Sequence, residues 1–161
     1  MRTWKLPGDV DTDQLAPGHT MKHGLDVVAR HCLETVRPEF AAEVRRGDVV
    51  VAGPGFGIGS SREQAASVLV HLGVAAVIAP AYAGLFFRNA FNVGLLLLTC
   101  AEALAIEDGE SIAFDARAGC LTRAGGQVLV CAPIPGFLLD MVEAGGLLPQ
   151  LKRHLALEPR Q

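Results

Sequence analysis

Two serines and an arginine, Ser60, Ser61 and Arg62, stand directly after four alternating glycines that extend from Gly53 to Gly59. Glycine allows the backbone to adopt positive φ and to approach a ligand closely. A helix N-terminus presents free N–H groups and the positive end of a dipole. Together with the guanidinium of Arg62, these features predict a receptor for a small anion, with the two serine hydroxyls at its centre.

Helix capping is a simpler explanation of the same serines. Ser60 and Glu63 have the spacing of a capping box, and Ser61 with Gln64 repeats that spacing one residue later. A capping serine stabilises a helix by about 1 kcal/mol. Spacing alone does not decide between capping and anion binding, although capping explains neither the glycines nor the arginine.

The glycine-rich stretch fits none of the common nucleotide motifs. Its spacing misses the last glycine of Gly-x-Gly-x-x-Gly, no acid follows the next predicted strand, and no Walker lysine is present. Neither serine lies in Gly-x-Ser-x-Gly, which excludes a hydrolase nucleophile elbow. The sequence therefore disfavours nucleotide binding.

The elements around this stretch predict an α/β fold. The order β-loop-α-β-α-β predicts a mostly parallel central sheet with right-handed crossovers, followed by a short β-meander. Residues Gly8 to Pro17 are predicted to be a turn-rich acidic segment. The predicted strands are Asp48–Ala52, Val74–Ala79, Leu95–Leu98, Ser111–Asp115, Cys120–Arg123 and Gln127–Cys131. The predicted helices are Leu25–Cys32, Pro38–Val44, Arg62–Leu72, Ala83–Phe91, Ile134–Glu143 and Leu147–Leu155.

Size and composition predict one globular domain over residues 1–161. Half of the 161 residues are apolar, 19% are charged, and the net charge of −3 gives no basic surface for nucleic acid. No apolar signal segment begins the sequence. Arg88 is the only charged residue between Gln64 and Ala101, but prolines, glycines and asparagines interrupt that stretch. We therefore expect a cytoplasmic protein without a membrane span.

The four cysteines predict neither a zinc site nor an iron–sulfur site in this chain. They are scattered, with no Cys-x-x-Cys pair, and are expected to be free thiols. They are Cys32, Cys100, Cys120 and Cys131.

Several blocks of residues, in this order and spacing, carry a resemblance to a known enzyme family. They are Asp9–Pro17, Pro38–Phe40, Gly47–Gly53, Phe56–Ala65 and Arg88–Leu95. The block Phe-Gly-Ile-Gly-Ser-Ser-Arg-Glu-Gln-Ala is similar to the signature of the small, swivelling subunit of 3-isopropylmalate dehydratase. The same element occurs in the fourth domain of aconitase and in the homoaconitase small subunit. The first block resembles that family's Asp-Thr-Asp-x-Ile-Ile-Pro element.

The resemblance implies a swivelling β/β/α domain that docks on a separate large subunit carrying a [4Fe–4S] cluster. It implies reversible dehydration and rehydration of a small hydroxy di- or tricarboxylic acid, as in leucine biosynthesis. An open iron site acts as a Lewis acid for the departing hydroxide. Because this chain shows no cluster-binding pattern, the resemblance implies that it binds no metal or cofactor and supplies half of a shared site.

By position in the family motif, the resemblance implies a role for each site residue. Ser60 corresponds to the catalytic base, and Ser61 and Arg62 correspond to ligands of the substrate carboxylates, with Gly59 beside them. An alkoxide at the base would need N–H groups, a helix dipole and a cation around it. The acids of the first block, Asp11 and Asp13, correspond to supporting residues. Asp13 would orient groups of the partner chain, with a turn or cap acid as its alternative interpretation.

One stretch departs from the family pattern. Residues Gly18 to Lys22 replace a Gly-x-Tyr-Leu element, and Thr20 removes its aromatic ring. Lys22 falls where arginine is common in relatives that accept an additional carboxylate. We therefore predict that Thr20 and Lys22 bind substrate in an open pocket with a flexible cation, with a solvated loop lysine as the alternative. A homoaconitase-type or dimethylmalate-type substrate, or a non-catalytic anion-binding module, remains an alternative function.

Overall fold

A computed structural model of the chain, which describes residues 1–157, contains two sheets and seven helices over that range. The first sheet is parallel, and its strands follow chain order: β1 (Thr3–Lys5), β2 (Val49–Val51), β3 (Ala76–Ala79) and β4 (Leu96–Thr99). The second sheet is an antiparallel meander of β5 (Ile112–Asp115), β6 (Cys120–Arg123) and β7 (Val128–Val130). This is the α/β fold with a parallel sheet and a meander that the sequence predicts.

The helices are short in the first part of the chain and longer in the second. They are α1 (Thr12–Leu15), α2 (Leu25–Arg30), α3 (Phe40–Glu43), α4 (Gln64–His71), α5 (Gly84–Asn92), α6 (Gly136–Ala144) and α7 (Leu147–Leu157). Single 3₁₀ turns lie at Gly18–Thr20 and Ala103–Ala105. None of the helices within residues 1–157 combines the length and the hydropathy needed to cross a bilayer.

The parallel sheet separates two apolar cores. Strand side chains alternate between the two faces of a sheet, so Val50 and Val77 face one core and Val49 and Ile78 face the other. Apolar residues of α2, α4 and α5 fill the first core, the meander fills the second, and α6 contributes side chains to both. The central strands are buried on both faces, which explains their continuous apolar sequence.

Two elements near the start of the chain were not predicted. Strand β1 pairs with β2 at the edge of the parallel sheet, and the buried Asp48 ties the two strands together. Its carboxylate accepts hydrogen bonds from Trp4 Nε1 at 2.8 Å and from Arg2 Nη2 at 2.7 Å. Burial alone would raise the pKa of Asp48, but these hydrogen bonds outweigh it and hold the pKa below its usual range.

The second unpredicted element is α1, which lies within the segment that was predicted to be turns. It is one turn long, and its N-terminus carries a capping box. The Gln14 N–H donates to Asp11 Oδ1 at 2.7 Å, and the Asp11 N–H donates to Gln14 Oε1 at 2.9 Å. This short helix positions the residues that meet the glycine-rich stretch.

Candidate active site

The glycine loop, defined as residues 53–63, leaves the carboxyl end of β2 and continues the pairing of the sheet beyond its strands. On one side, the Gly57 N–H donates to the Val10 carbonyl at 2.7 Å, and the Thr12 N–H donates to the Ile58 carbonyl at 2.9 Å. On the other side, the Ala83 N–H donates to the carbonyl of Phe56 at 3.0 Å. Main-chain bonds to segments distant in the sequence therefore hold the loop from both sides.

Two glycines of the loop are required by space as well as by conformation. Gly57 has φ +80°, and a Cβ there would lie 2.2 Å from Cγ of the buried Phe86. Gly59 has φ +102°, and a Cβ there would lie 3.0 Å from Thr12 Oγ1. Side chains rarely adopt these conformations, so the close packing of the loop depends on glycine.

Ser60 and Ser61 are both exposed, and they do not cap the following helix. Helix α4 begins at Gln64, its N-cap is Glu63, and no side chain hydrogen-bonds that N-terminus. The Arg62 N–H instead donates to the Ser60 carbonyl at 2.8 Å, which closes a tight turn before the helix. The capping interpretation and the predicted helix start at Arg62 are therefore wrong.

The side chain of Arg62 is folded back against α1 and is 22% exposed. Its Nη1 forms an ion pair with Asp13 and donates to the Ala16 carbonyl at 3.1 Å. Asp13 thus contacts an arginine of its own chain. Asp11 caps α1 through its carboxylate. The structure brings Gly59, Arg62 and Asp13 together beside the exposed serines.

Thr12 is a further residue of this cluster that sequence reasoning missed. It is 2% exposed, and nothing in the described part of the chain forms a hydrogen bond with its Oγ1. A buried hydroxyl without a hydrogen-bond partner lowers the stability of the fold. This hydroxyl lies next to Gly59 of the glycine loop. The sequence did offer one indication of this residue. Thr12 stands between Asp11 and Asp13, so it must lie close to those two predicted site acids.

The segment with Thr20 and Lys22 adjoins this cluster at Gly18. A Cβ at Gly18 would lie 3.6 Å from Asp13 Oδ1. Thr20 is buried, and its hydroxyl donates to the Pro17 carbonyl at 2.7 Å, so it stabilises its own 3₁₀ turn. Lys22 is exposed to solvent. The Thr20 hydroxyl is therefore already bonded and buried, whereas the side chain of Lys22 is accessible from solvent.

Comparison with known proteins decides which family this site belongs to. The family model described as "Aconitase C-terminal domain" matches residues 22–103, which include the whole glycine loop. A protein named 3-isopropylmalate dehydratase small subunit 1, from Archaeoglobus fulgidus, is 44% identical to this chain. That alignment covers 91% of this chain and 92% of the relative. The chain belongs to the aconitase C-terminal domain family.

Two further proteins similar to this chain support the same conclusion. A methanogen homoaconitase small subunit from Methanothermobacter thermautotrophicus is 41% identical over 91% of this chain and 86% of its own length. The crystal structure of 3-isopropylmalate dehydratase from Methanocaldococcus jannaschii gives a TM-score of 0.89 at 35% identity. It covers 97% of this chain, and 94% of that chain is matched. The family resemblance and the fold predicted from the sequence are thereby confirmed.

Proposed function

We propose that this chain is the small subunit of a hydro-lyase that interconverts 2-isopropylmalate and 3-isopropylmalate in leucine biosynthesis. One observation carries the proposal: two exposed serines stand beside an arginine whose guanidinium is fixed by Asp13 and by the Ala16 carbonyl. The names of similar proteins supply the reaction class. A homoaconitase-type substrate is the second candidate, because one relative with 41% identity bears that name.

Ser60 acts as the base in this proposal. Its hydroxyl, deprotonated in the complete site, takes the proton from the carbon next to a substrate carboxylate while hydroxide leaves the neighbouring carbon. Rehydration on the other carbon reverses both steps, and Ser60 returns the proton. A serine anion needs donors and positive charge nearby. Arg62, two residues further along a fixed turn, supplies the charge.

Arg62 and Ser61 bind substrate carboxylate in the same proposal. Both contacts of Arg62 within the described residues use Nη1. A guanidinium has five N–H donors in a rigid plane, so donors remain for a carboxylate in a bidentate arrangement. Asp13 and the Ala16 carbonyl hold the plane of the guanidinium before substrate arrives. This fixed orientation lowers the entropy lost on binding.

The buried cysteines of this chain are divided between the two cores. Cys32 is buried in the core on the helical face of the parallel sheet, whereas Cys100 and Cys131 are buried in the core on the opposite face. Cys120, at the start of β6, lies near Cys131, and none of the four thiols is assigned a role as a cluster ligand. We propose that a separate large subunit holds a [4Fe–4S] cluster, which supplies a Lewis acid for the departing hydroxide.

An exposed apolar side chain in the glycine loop supports the need for such a partner. Ile58 is 43% exposed between two glycines, two residues before Ser60. A single exposed apolar side chain is ordinary on a protein surface, but this one lies beside the site residues, where contact with a second chain would remove it from water. We propose that the large subunit covers Ile58 when it completes the site, and that the complex works in the cytoplasm.

Reconstitution with the large subunit tests the proposed function. The two chains are combined anaerobically with iron and sulfide, and formation of the unsaturated acid is followed from isopropylmalate and, separately, from homocitrate. We expect turnover of isopropylmalate. Ser60→Ala should lower the turnover number about 10²–10⁴-fold, the usual contribution of a general base, while complex formation by size-exclusion chromatography stays unchanged.

The exposed Ser111, which precedes β5 in the second sheet, offers a matched control. Ser111→Ala should retain full activity. Full activity of Ser60→Ala would contradict the mechanism, and preferred turnover of homocitrate would select the second candidate function.

A further inference from the structure

Two histidines and a glutamate converge where the 3₁₀ turn Gly18–Thr20 meets the end of α2. One ligand atom each from His19, His31 and Glu34 lies within 4.8 Å of the other two. His31 Nδ1 is 2.6 Å from Glu34 Oε2, and His19 Nε2 is 3.6 Å from Glu34 Oε1. The two imidazole rings meet edge to face, with centroids 5.1 Å apart. The mechanism above assigns none of these three side chains a role.

The fold brings these ligands from two separate segments. His19 stands in the 3₁₀ turn, whereas His31 ends α2 and Glu34 follows three residues later. Between them, the buried Leu33 has φ +61°, an uncommon conformation for a branched residue. Its N–H donates to the Gln14 carbonyl at 2.7 Å, which holds the bend that turns Glu34 back toward the histidines.

The donor set is that of a zinc site with one open position. Zinc accepts imidazole nitrogen and carboxylate oxygen at about 2.0–2.2 Å in tetrahedral geometry, which separates neighbouring ligand atoms by about 3.4 Å. The His19–Glu34 separation of 3.6 Å is close to this value. The shorter His31–Glu34 contact is a hydrogen bond that must open by about 1 Å when a metal replaces the shared proton.

We propose that His19, His31 and Glu34 bind one divalent transition-metal ion of the zinc class. His19 is exposed and the other two residues are half-buried, so the ion exchanges with solvent through the open position. Because its ligands come from two segments, the ion fixes the turn Gly18–Thr20 to the end of α2. This site is independent of the cluster chemistry proposed for the partner subunit.

Zinc binding to the full chain alone tests the site, with no need for turnover. The metal-free protein is titrated with zinc in competition with a chromogenic chelator, for the wild type and for His19→Ala and His31→Ala. We expect one tight site per chain in the wild type and affinity more than about 10-fold weaker in either variant, because even loss of an outer-shell partner has that effect. Circular dichroism checks that the variants stay folded.

His71→Ala is the matched control. His71 Nε2 lies 3.1 Å from Asp26 Oδ1 in an exposed pair of one histidine and one acid, and this variant should bind zinc like the wild type. Cobalt substitution identifies the ligand type. The spectrum should show tetrahedral d–d bands without the intense charge-transfer band of thiolate ligands.

Hydrogen exchange adds a readout for the bridging role. Amides of the turn over residues 17–23 should exchange more slowly with zinc in the wild type and show no change in His19→Ala. Absence of tight zinc binding by the wild type, equal affinity in His19→Ala, or a thiolate band in the cobalt spectrum would each overturn the site. None of these outcomes bears on the proposed dehydratase activity.

Discussion

The glycine loop and the turn over residues 17–23 hold their predicted site residues in different ways. The loop is fixed by main-chain bonds to distant segments, such as those from Gly53 to Gly8 and from Gly55 to Ala81. Among the described residues, the main-chain hydrogen bonds given for the turn stay within it, for example from the Thr20 N–H to the Pro17 carbonyl at 2.9 Å. The residues assigned to the reaction thus depend on the whole fold, whereas an exposed position of the turn such as Lys22 accepts a new side chain without disrupting the fold.

Substitution of a loop glycine should have the largest effect on stability and activity, because the loop depends on the whole fold. In Gly57→Ala, the new methyl would meet Phe86 at 2.2 Å in a left-handed conformation, and we expect about 3 kcal/mol less stability together with loss of turnover. Denaturant unfolding measures the change. Gly24→Ala, at φ −66° at the N-cap of α2 and with open space around it, should change stability by less than about 1 kcal/mol, because the lower entropy of the unfolded chain offsets the weaker N-cap. Equal unfolding midpoints for the two variants would contradict the special requirement for glycine in the loop.

Replacement of the loop arginine should have the next largest effect. Arg62→Lys keeps the charge but loses the planar guanidinium, so kcat/KM of the reconstituted complex should fall about 100-fold, as expected for loss of a charged hydrogen-bond pair. Arg30→Lys, at an exposed position on α2, is the control and should leave kcat/KM unchanged. A loss confined to Arg62→Lys would show that guanidinium geometry, and not charge alone, matters at this position.

Removal of the Thr12 hydroxyl separates a binding role from a structural one. Thr12→Val keeps the shape and removes an oxygen that has no partner among the described residues, so stability should stay equal or rise by about 1 kcal/mol. Turnover should nevertheless fall about 10-fold if this hydroxyl serves the bound state. Thr12→Ser should restore activity. Unchanged kcat and KM in Thr12→Val would mean that the hydroxyl plays no part.

The smallest effect is expected in the turn. Lys22→Ala should change stability by less than about 0.5 kcal/mol, as for exposed positions generally. It should nevertheless shift the ratio of homoaconitate to isopropylmalate turnover several-fold, because an exposed cation there favours an additional carboxylate. Lys152→Ala, at an exposed position on α7, should leave that ratio unchanged. An unaltered ratio in Lys22→Ala would favour the solvated-lysine alternative.

The sequence predicted those strands that a local residue pattern reveals. Strands β2, β3 and β4 are continuous apolar runs, and the strands of the meander are separated by glycine turns, so pattern alone identified them. Strand β1 is only three residues of mixed polarity, and it exists because it pairs with β2 far along the chain. Helix α1 is too short for periodicity to reveal it.

Capping-box spacing occurs at two places in the site, but only one of them forms a capping box. Asp11 with Gln14 and Ser60 with Glu63 both have capping-box spacing, but only the first pair forms the box. Pairing of the glycine loop with residues 10–12 directs the chain at Ser60 into a tight turn, so the helix starts later. The Arg62–Asp13 ion pair depends on that same long-range pairing, and sequence spacing could not reveal it.

The strand order of the parallel sheet has a consequence for how substrates are enclosed. In open α/β sheets, ligands usually bind in a crevice at a topological switch point, where connections diverge to opposite faces. Here the strands follow chain order, and α4 and α5 both cover the same face of the sheet. The strand order of the described residues therefore gives no switch-point crevice at the carboxyl edge that bears Ser60. In the proposed complex, the large subunit forms the wall that such a crevice would otherwise supply, so the same edge can serve subunits that select different acids.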